Sequence, residues 1–147
     1  MLVVSLGWQT MRWRDRLEAG RTLREVELRT TAAYVSGRAP VGLLPGHLEA
    51  LKRVEGFDRA EVGIPIARGT QWLLLRNSRA AIDAYDAALT LEPRPEIYLN
   101  LGRAWGMAGN TARASEYFRL AVRLDPNLIS DVPPEMRAAL GAASATR

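Results

Sequence analysis

Apolar side chains recur at helical spacing in the second half of the chain. A first stripe consists of Ala81, Ala84, Tyr85, Ala88 and Leu89. A second stripe repeats the spacing 33 positions later, at Ala114, Tyr117, Phe118, Ala121 and Val122. Residues spaced i, i+3, i+4, i+7 and i+8 lie on one face of an α-helix. The pattern therefore predicts two amphipathic helices whose apolar faces are built from small and aromatic side chains.

These stripes belong to a longer repeat with a period of 33 residues. Six positions match in pairs: Gly69, Trp72, Ala81, Tyr85, Ala88 and Pro93 return as Gly102, Trp105, Ala114, Phe118, Ala121 and Pro126. Repetition at this period is typical of stacked helical hairpins. The small residues allow two helices to approach closely, and the prolines end the second helix of each hairpin after Leu91 and Leu124. We expect Asn77 and Asn110 at the turns, where an N-cap is needed.

Weaker helical patterns flank the repeat. Upstream, Glu25–Val35 and Leu48–Val54 are predicted helices, joined by a Gly/Pro-rich connector at 37–46. Downstream, Glu135–Leu140 is a predicted short helix that caps the open apolar edge, followed by a frayed tail. The expected organisation is a Trp/Arg-rich segment at 1–20, a degenerate helical hairpin at 21–60, repeats at 61–94 and 95–131, and a capping helix with its tail at 132–147. The predicted fold class is all-α.

The second copy of the repeat carries a family signature. This copy resembles the tetratricopeptide consensus at nearly every signature position. The matching residues are Tyr98, Leu101, Gly102, Trp105, Ala114, Phe118, Ala121 and Pro126. The first copy is weaker, because it has Pro65 in place of a large aromatic residue and Arg68 in place of an apolar one. The resemblance implies antiparallel helix hairpins, such as Tyr98–Met107 with Ala114–Leu124, stacked as a short right-handed solenoid.

The resemblance also implies a concave groove lined by the first helix of each repeat, where tetratricopeptide proteins usually hold a protein ligand. The positions that match groove-lining positions of the family are Ile66, Thr70, Leu73 and Leu74 in the first copy and Leu99, Asn100, Arg103 and Met107 in the second. Asn100 matches a position at which the family often binds a peptide backbone. Arg103 is suited to pair with a carboxylate. A mostly apolar groove with one arginine indicates an apolar helix or an extended segment as its ligand.

The N-terminal segment combines aromatic and basic residues. Residues 2–8 are apolar and end at Trp8, and Arg12, Trp13, Arg14 and Arg16 follow. The apolar run is far shorter than the roughly 20 residues that a membrane-spanning helix needs. Three interpretations stay open: an ordinary first helix, a surface that contacts a membrane or a membrane protein, and part of a longer membrane protein.

The composition limits the kinds of catalytic and binding site that the chain can form. The chain has no cysteine, which excludes disulfides and thiolate catalysis, and one histidine, His47, which we expect at the surface of a first helical turn. No arrangement of catalytic residues, phosphate loop, metal site or cofactor motif is recognisable. The net charge is +4, and the basic excess lies before residue 41. The basic residues are 19 Arg and one Lys, a bias that favours a GC-rich bacterial genome.

The hypothesis that these features favour is a non-enzymatic scaffold or adaptor that docks a partner protein in the groove, close to a membrane or in the cytoplasm of a bacterium. One alternative is a permanent accessory subunit of a large membrane protein complex. A second is single-stranded nucleic-acid binding, with Trp8 and Trp13 as stacking surfaces beside the arginines. A small-molecule substrate is not expected.

Overall fold

The computed structural model describes residues 2–36, 40–57 and 61–144. Within these ranges the chain forms α-helices and short 3-10 helices and no strand. The α-helices are α1 (Leu2–Val35), α2 (Leu44–Glu55), α3 (Gly63–Leu74), α4 (Ser78–Leu91), α5 (Pro95–Met107), α6 (Thr111–Leu124) and α7 (Pro134–Ser144). The 3-10 helices are Pro40–Gly42 and Pro126–Asp131. Each α-helix packs on the next along the chain, which confirms the all-α helical-repeat prediction.

Two hairpins, α3 with α4 and α5 with α6, form the centre of the fold. The second helix of each hairpin begins at an asparagine cap. Asn77 Oδ1 accepts a hydrogen bond from the backbone N–H of Ala80 at 3.1 Å, and Asn110 Oδ1 accepts one from the backbone N–H of Arg113 at 3.0 Å. Such caps satisfy N–H groups that have no partner within the helix. The chain becomes extended after α4 and after α6, immediately before the two prolines of the repeat. The predicted turns and helix ends are confirmed.

The core of the two hairpins is built from the residues that define the repeat. Tyr85 and Phe118 are almost fully buried, and the alanines of both stripes at 81, 88, 114 and 121 are completely buried. Tyr85 also packs with Ile97 and Leu101 of α5, so the first hairpin is joined to the second through one apolar cluster. Small side chains permit this close approach, and each aromatic ring fills the space that they leave.

The N-terminal third packs α1 and α2 against α3. Ala19 and Val26 of α1 meet Leu51 and Val54 of α2 and Ile64 of α3 in a second apolar cluster. The helix predicted at Glu25–Val35 is only the end of α1, which is 34 residues long. The helix predicted to begin at Leu48 begins at Leu44, and Pro45 occupies its first turn. Proline is tolerated there because the N–H group that it lacks would have no hydrogen-bond partner within the helix. Residues 37–39 of the expected connector and 58–60 lie outside the described residues.

The last helix covers the open edge of the second hairpin. Val132 and Leu140 are buried together with Leu99 and Phe118, and Met136 packs beside them. The helix α7 is longer than predicted at both ends, and it continues to Ser144 where fraying was expected after residue 140. Residues 145–147 lie outside the described part of the chain.

Candidate partner-binding surface

The predicted groove positions of α3 are half-buried. Ile66 and Leu73 pack against the cluster that contains Tyr85 and Leu101, and Leu74 is also half-buried. Helices α3 and α5 contact each other, so these positions adjoin those of α5. On α5, Met107 is 37% exposed. The structure therefore brings an apolar floor from α3 beside the more polar surface of α5.

A buried hydroxyl lies beneath this surface. Thr70 donates its hydroxyl hydrogen to the carbonyl of Ile66 at 3.1 Å, so the Tyr85 hydroxyl, at 3.2 Å, donates to Thr70. Burial raises the pKa of Tyr85 to about 12, although the charge of Arg103 acts in the opposite direction. The equivalent ring of the second hairpin, Phe118, has no hydroxyl group.

The guanidinium of Arg103 is held in place from two sides. Its Nη1 donates to Asn100 Oδ1 at 3.0 Å, and its Nη2 donates to the carbonyl oxygen of Asp131 at 3.1 Å. Arg103 remains exposed. Because a guanidinium carries five N–H donors, three are left for another acceptor. The arrangement suits a carboxylate, which binds two parallel N–H groups of an arginine.

Leu99 does not belong to the accessible surface. It is 4% exposed and packs with Phe118, Val132 and Leu140. The segment after the second repeat covers it, which the repeat alone could not indicate. We therefore remove Leu99 from the candidate surface. The remaining residues, which we call the α3/α5 face, are Ile66, Thr70, Leu73, Leu74, Asn100, Arg103 and Met107.

The basic and aromatic residues near the N-terminus lie on α1. Arg12, Trp13, Arg14 and Arg16 are exposed, and Trp13 has 63% of its surface accessible. The position of Trp8 is helical, and its side chain lies outside the described side chains. Among the described side chains of α1 from Arg12 onwards, the first buried residue is Ala19. These four residues therefore precede the part of α1 that packs on the core.

The expectation for His47 is wrong, because His47 is 6% exposed. Its Nδ1 lies 3.2 Å from Gln71 Oε1 and 3.5 Å from Thr30 Oγ1, and Gln71 Nε2 donates to Thr30 Oγ1 at 3.3 Å. Thr30 gives its own hydrogen to the carbonyl of Val26 at 2.7 Å, so Nδ1 must be the protonated nitrogen. Leu44, His47, Leu51 and Val54 are spaced as one helical stripe, a signal that places His47 inside.

Sequence reasoning also missed a cavity at the seam between α2 and α3. It has a volume of about 380 Å³, and its apolar lining consists of Pro45, Leu48, Trp72 and Leu75. Glu49, Lys52 and Arg68 also line it. Arg68 also forms an ion pair with Glu55 across the same seam. The unusual Arg68 of the first repeat therefore faces α2 rather than the hairpin interior.

The described residues contain neither a metal-binding cluster nor a membrane-spanning helix. No group of three or more His, Asp or Glu side chains is placed to hold a metal ion there. None of the helices in the described ranges is both long and apolar enough to cross a membrane.

The family comparison agrees with this geometry. Residues 95–128, which contain α5 and α6, match the family model of the tetratricopeptide repeat. No curated protein matches the chain.

Proposed function

We propose that this chain, which carries a tetratricopeptide repeat, is a non-enzymatic interaction module that docks a segment of a partner protein on the α3/α5 face. The repeat family supports a protein–protein interaction role in general. The observation that carries the choice of surface is the position of Arg103, which is exposed but held by Asn100 and the carbonyl of Asp131.

The geometry favours a partner segment that combines one acidic group with apolar side chains. A guanidinium that is already oriented loses less conformational freedom when it binds a carboxylate, which favours binding. The apolar surface of Ile66 and Leu73 lies on the neighbouring helix and offers contacts to the residues that flank the acidic group. Peptide recognition commonly uses this combination of apolar anchors and one polar contact that fixes the orientation.

The test begins with a tagged chain purified from its source cells under conditions that keep partners attached. The partner segment is then synthesised, and its affinity is measured by titration calorimetry against wild type, Leu73→Glu and Arg103→Glu. We expect Arg103→Glu to weaken binding by about 2 kcal/mol or more, because a like charge replaces the pair. Arg119→Glu, on the exposed surface of α6, is the matched control and should bind as wild type does. Equal affinity of all four proteins would exclude the α3/α5 face.

The exposed arginines and Trp13 of α1 support a further part of the proposal, that the chain works close to a membrane. An aromatic ring with neighbouring cations suits the interface of an anionic bilayer. Co-sedimentation with vesicles of anionic lipid should exceed that with zwitterionic vesicles, and it should fall when Arg12 and Arg14 are changed to glutamate. Binding to single-stranded nucleic acid with a steep salt dependence, and no binding to vesicles, would favour the nucleic-acid alternative instead.

A permanent place in a large membrane complex is a variant of the same proposal. Detergent extracts of native membranes should then contain the chain only in a large assembly. A chain that elutes at the size of the free protein from the same extracts would contradict this variant, while leaving reversible docking open to the calorimetric test.

A further inference from the structure

The cavity between α2 and α3 has a counterpart at the seam between α4 and α5. The buried positions 47, 51 and 54 of α2 have the same spacing as the buried positions 81, 85 and 88 of α4, which follow 34 residues later. Helices α2 and α4 therefore take the same place, each before the first helix of a repeat. On this alignment Lys52 corresponds to Asp86, and the 33-residue period makes Trp72 the equivalent of Trp105.

In the second hairpin, two side chains of α6 cover this place. The guanidinium of Arg113 lies over the indole ring of Trp105, with 4.3 Å between its Cζ atom and the ring centroid. The ring of Tyr117 packs against the apolar cluster that contains Ile82 of α4 and Leu101 of α5. A cation and an aromatic ring of α6 therefore lie on the apolar residues that join α4 to α5.

The first hairpin lacks this cover. The equivalents of Arg113 and Tyr117 on α4 are Ala80 and Ala84, whose methyl groups are too short to reach as far. The indole of Trp72 lines the cavity of about 380 Å³ instead. A volume of this size is within the range of small-molecule sites in proteins. The cavity therefore lies beside an indole that has no arginine of its own hairpin to cover it.

The charge beside the seam is reversed between the two hairpins. The second hairpin has the carboxylate of Asp86 where the first has the ammonium of Lys52. Lys52 is exposed and makes no ion pair within the described part of the chain, whereas Arg68 is already paired with Glu55. A ligand of the cavity should therefore carry an anionic group where α6 supplies a cation. Because Glu49 also lines the cavity, that group must face Lys52 rather than Glu49.

We propose that the cavity binds a small aromatic carboxylic acid, whose ring packs on Trp72 and whose carboxylate pairs with Lys52. The ring of the ligand takes the part that Tyr117 has in the second hairpin, and Leu48 and Leu75 supply further apolar contacts. Two aromatic rings attract each other beyond the effect of their burial, and an ammonium group offers three N–H donors to a carboxylate. The inference does not depend on the proposed docking role of the α3/α5 face, because no residue is shared between the two sites.

The experiment is titration calorimetry of the full chain with cinnamate, and with cinnamamide as an uncharged probe of the same shape. We expect cinnamate to bind at one site and cinnamamide to bind about fivefold more weakly, the effect of one exposed ion pair. Lys52→Glu should weaken the binding of cinnamate by about tenfold or more, because a like charge replaces the pair. Arg53→Glu makes the same charge change at the next exposed position of α2, outside the lining of the cavity, and should bind as wild type does.

Ala80→Met tests the comparison between the two hairpins. It extends an uncharged side chain from the position equivalent to that of Arg113, so it should cover Trp72 and abolish the binding of cinnamate. Ala87→Met, at an exposed position of the same helix, is the matched control and should leave binding unchanged. Circular dichroism of each variant verifies that it is folded. In nuclear magnetic resonance spectra of the wild type, cinnamate should shift the indole N–H signal that is missing from Trp72→Phe.

Three results would overturn the inference. The first is an indole signal of Trp72 that does not move at millimolar cinnamate, which would mean that the cavity takes no aromatic acid. The second is equal affinity for cinnamate and cinnamamide, or equal affinity of wild type and Lys52→Glu, because the carboxylate would then not pair with Lys52. The third is a folded Ala80→Met protein that binds cinnamate as wild type does, which would exclude the equivalence with the seam covered by Arg113.

Discussion

A Cβ atom on Gly69 would lie 2.6 Å from the ring of Tyr85, and one on Gly102 would lie 2.6 Å from the ring of Phe118. Both glycines are therefore required by the contact between the two helices of their hairpin. Gly69→Ala and Gly102→Ala should each destabilise the fold by about 1–3 kcal/mol, the usual cost of overpacking a core. Chemical denaturation measures the change.

Gly106 provides the control on the same helix as Gly102. A Cβ atom there would meet only Ala114 Cβ at 3.8 Å, an ordinary contact. Gly106→Ala should be neutral or stabilising by up to about 1 kcal/mol, because alanine favours the helix. If Gly102→Ala were as stable as Gly106→Ala, the aromatic contact would not be the reason for the glycine.

This pair of contacts explains why the hairpins could be predicted from the sequence. Each glycine and its aromatic partner belong to one hairpin, and the asparagine cap and the proline end are also local signals. A periodic sequence therefore contains nearly everything that determines α3 to α6. The long helix α1 was harder to predict, because it has apolar residues on its exposed face as well as on its buried face.

The candidate site was less predictable than the fold. Leu99 has the same place in its repeat as Ile66, yet it is buried because Val132 and Leu140 fold back over it. The orientation of Arg103 likewise depends on the carbonyl of Asp131, 28 positions further along. Such long-range contacts leave no periodic signal. His47 was misplaced although Leu44, Leu51 and Val54 share its face of α2, so for this residue the periodic signal was present in the sequence.

The hydroxyl of Tyr85 predicts a loss of stability in alkali. Its pKa is about 12 in the fold and about 10 in an unfolded chain, so the folded state retains a proton that the unfolded state loses. The contribution is fully present below pH 10 and is lost as the pH rises from 10 to 12, at about 1.4 kcal/mol per pH unit. Urea denaturation at each pH measures it.

Tyr85→Phe separates this effect from the titration of other tyrosines. At neutral pH the variant should be less stable by about 1 kcal/mol, the value of one hydrogen bond. Phenylalanine fits the site, because Phe118 fills the equivalent place in the second hairpin. Between pH 10 and 12 the advantage of the wild type should shrink and then reverse. A constant difference over this range would show that Tyr85 ionises as easily in the fold as outside it.

The turn between α3 and α4 contains a strained residue. Arg76 has φ of 57°, and Gly109, its equivalent in the second hairpin, has φ of 79°. Glycine adopts this left-handed conformation readily, whereas a residue with a side chain does so at a cost of about 1 kcal/mol. Arg76→Gly should therefore raise the free energy of unfolding by up to about 1 kcal/mol, and Gly109→Ala should lower it by a similar amount. Thermal denaturation of both variants is the measurement, and a Gly109→Ala protein as stable as wild type would contradict the argument.

The hydrogen bonds among Thr30, His47 and Gln71 predict a non-additive pair of substitutions. Gln71→Leu leaves the Nδ1–H of buried His47 without its amide acceptor, and His47→Leu leaves Gln71 Oε1 without a donor. Each should cost about 1–3 kcal/mol, the penalty for a buried polar group without a partner. The double variant removes both groups, so neither is left buried without its partner, and it should be more stable than the sum of the single changes implies. A double-mutant cycle by urea denaturation measures the coupling. Additive losses would mean that His47 and Gln71 are buried side by side without bonding to each other.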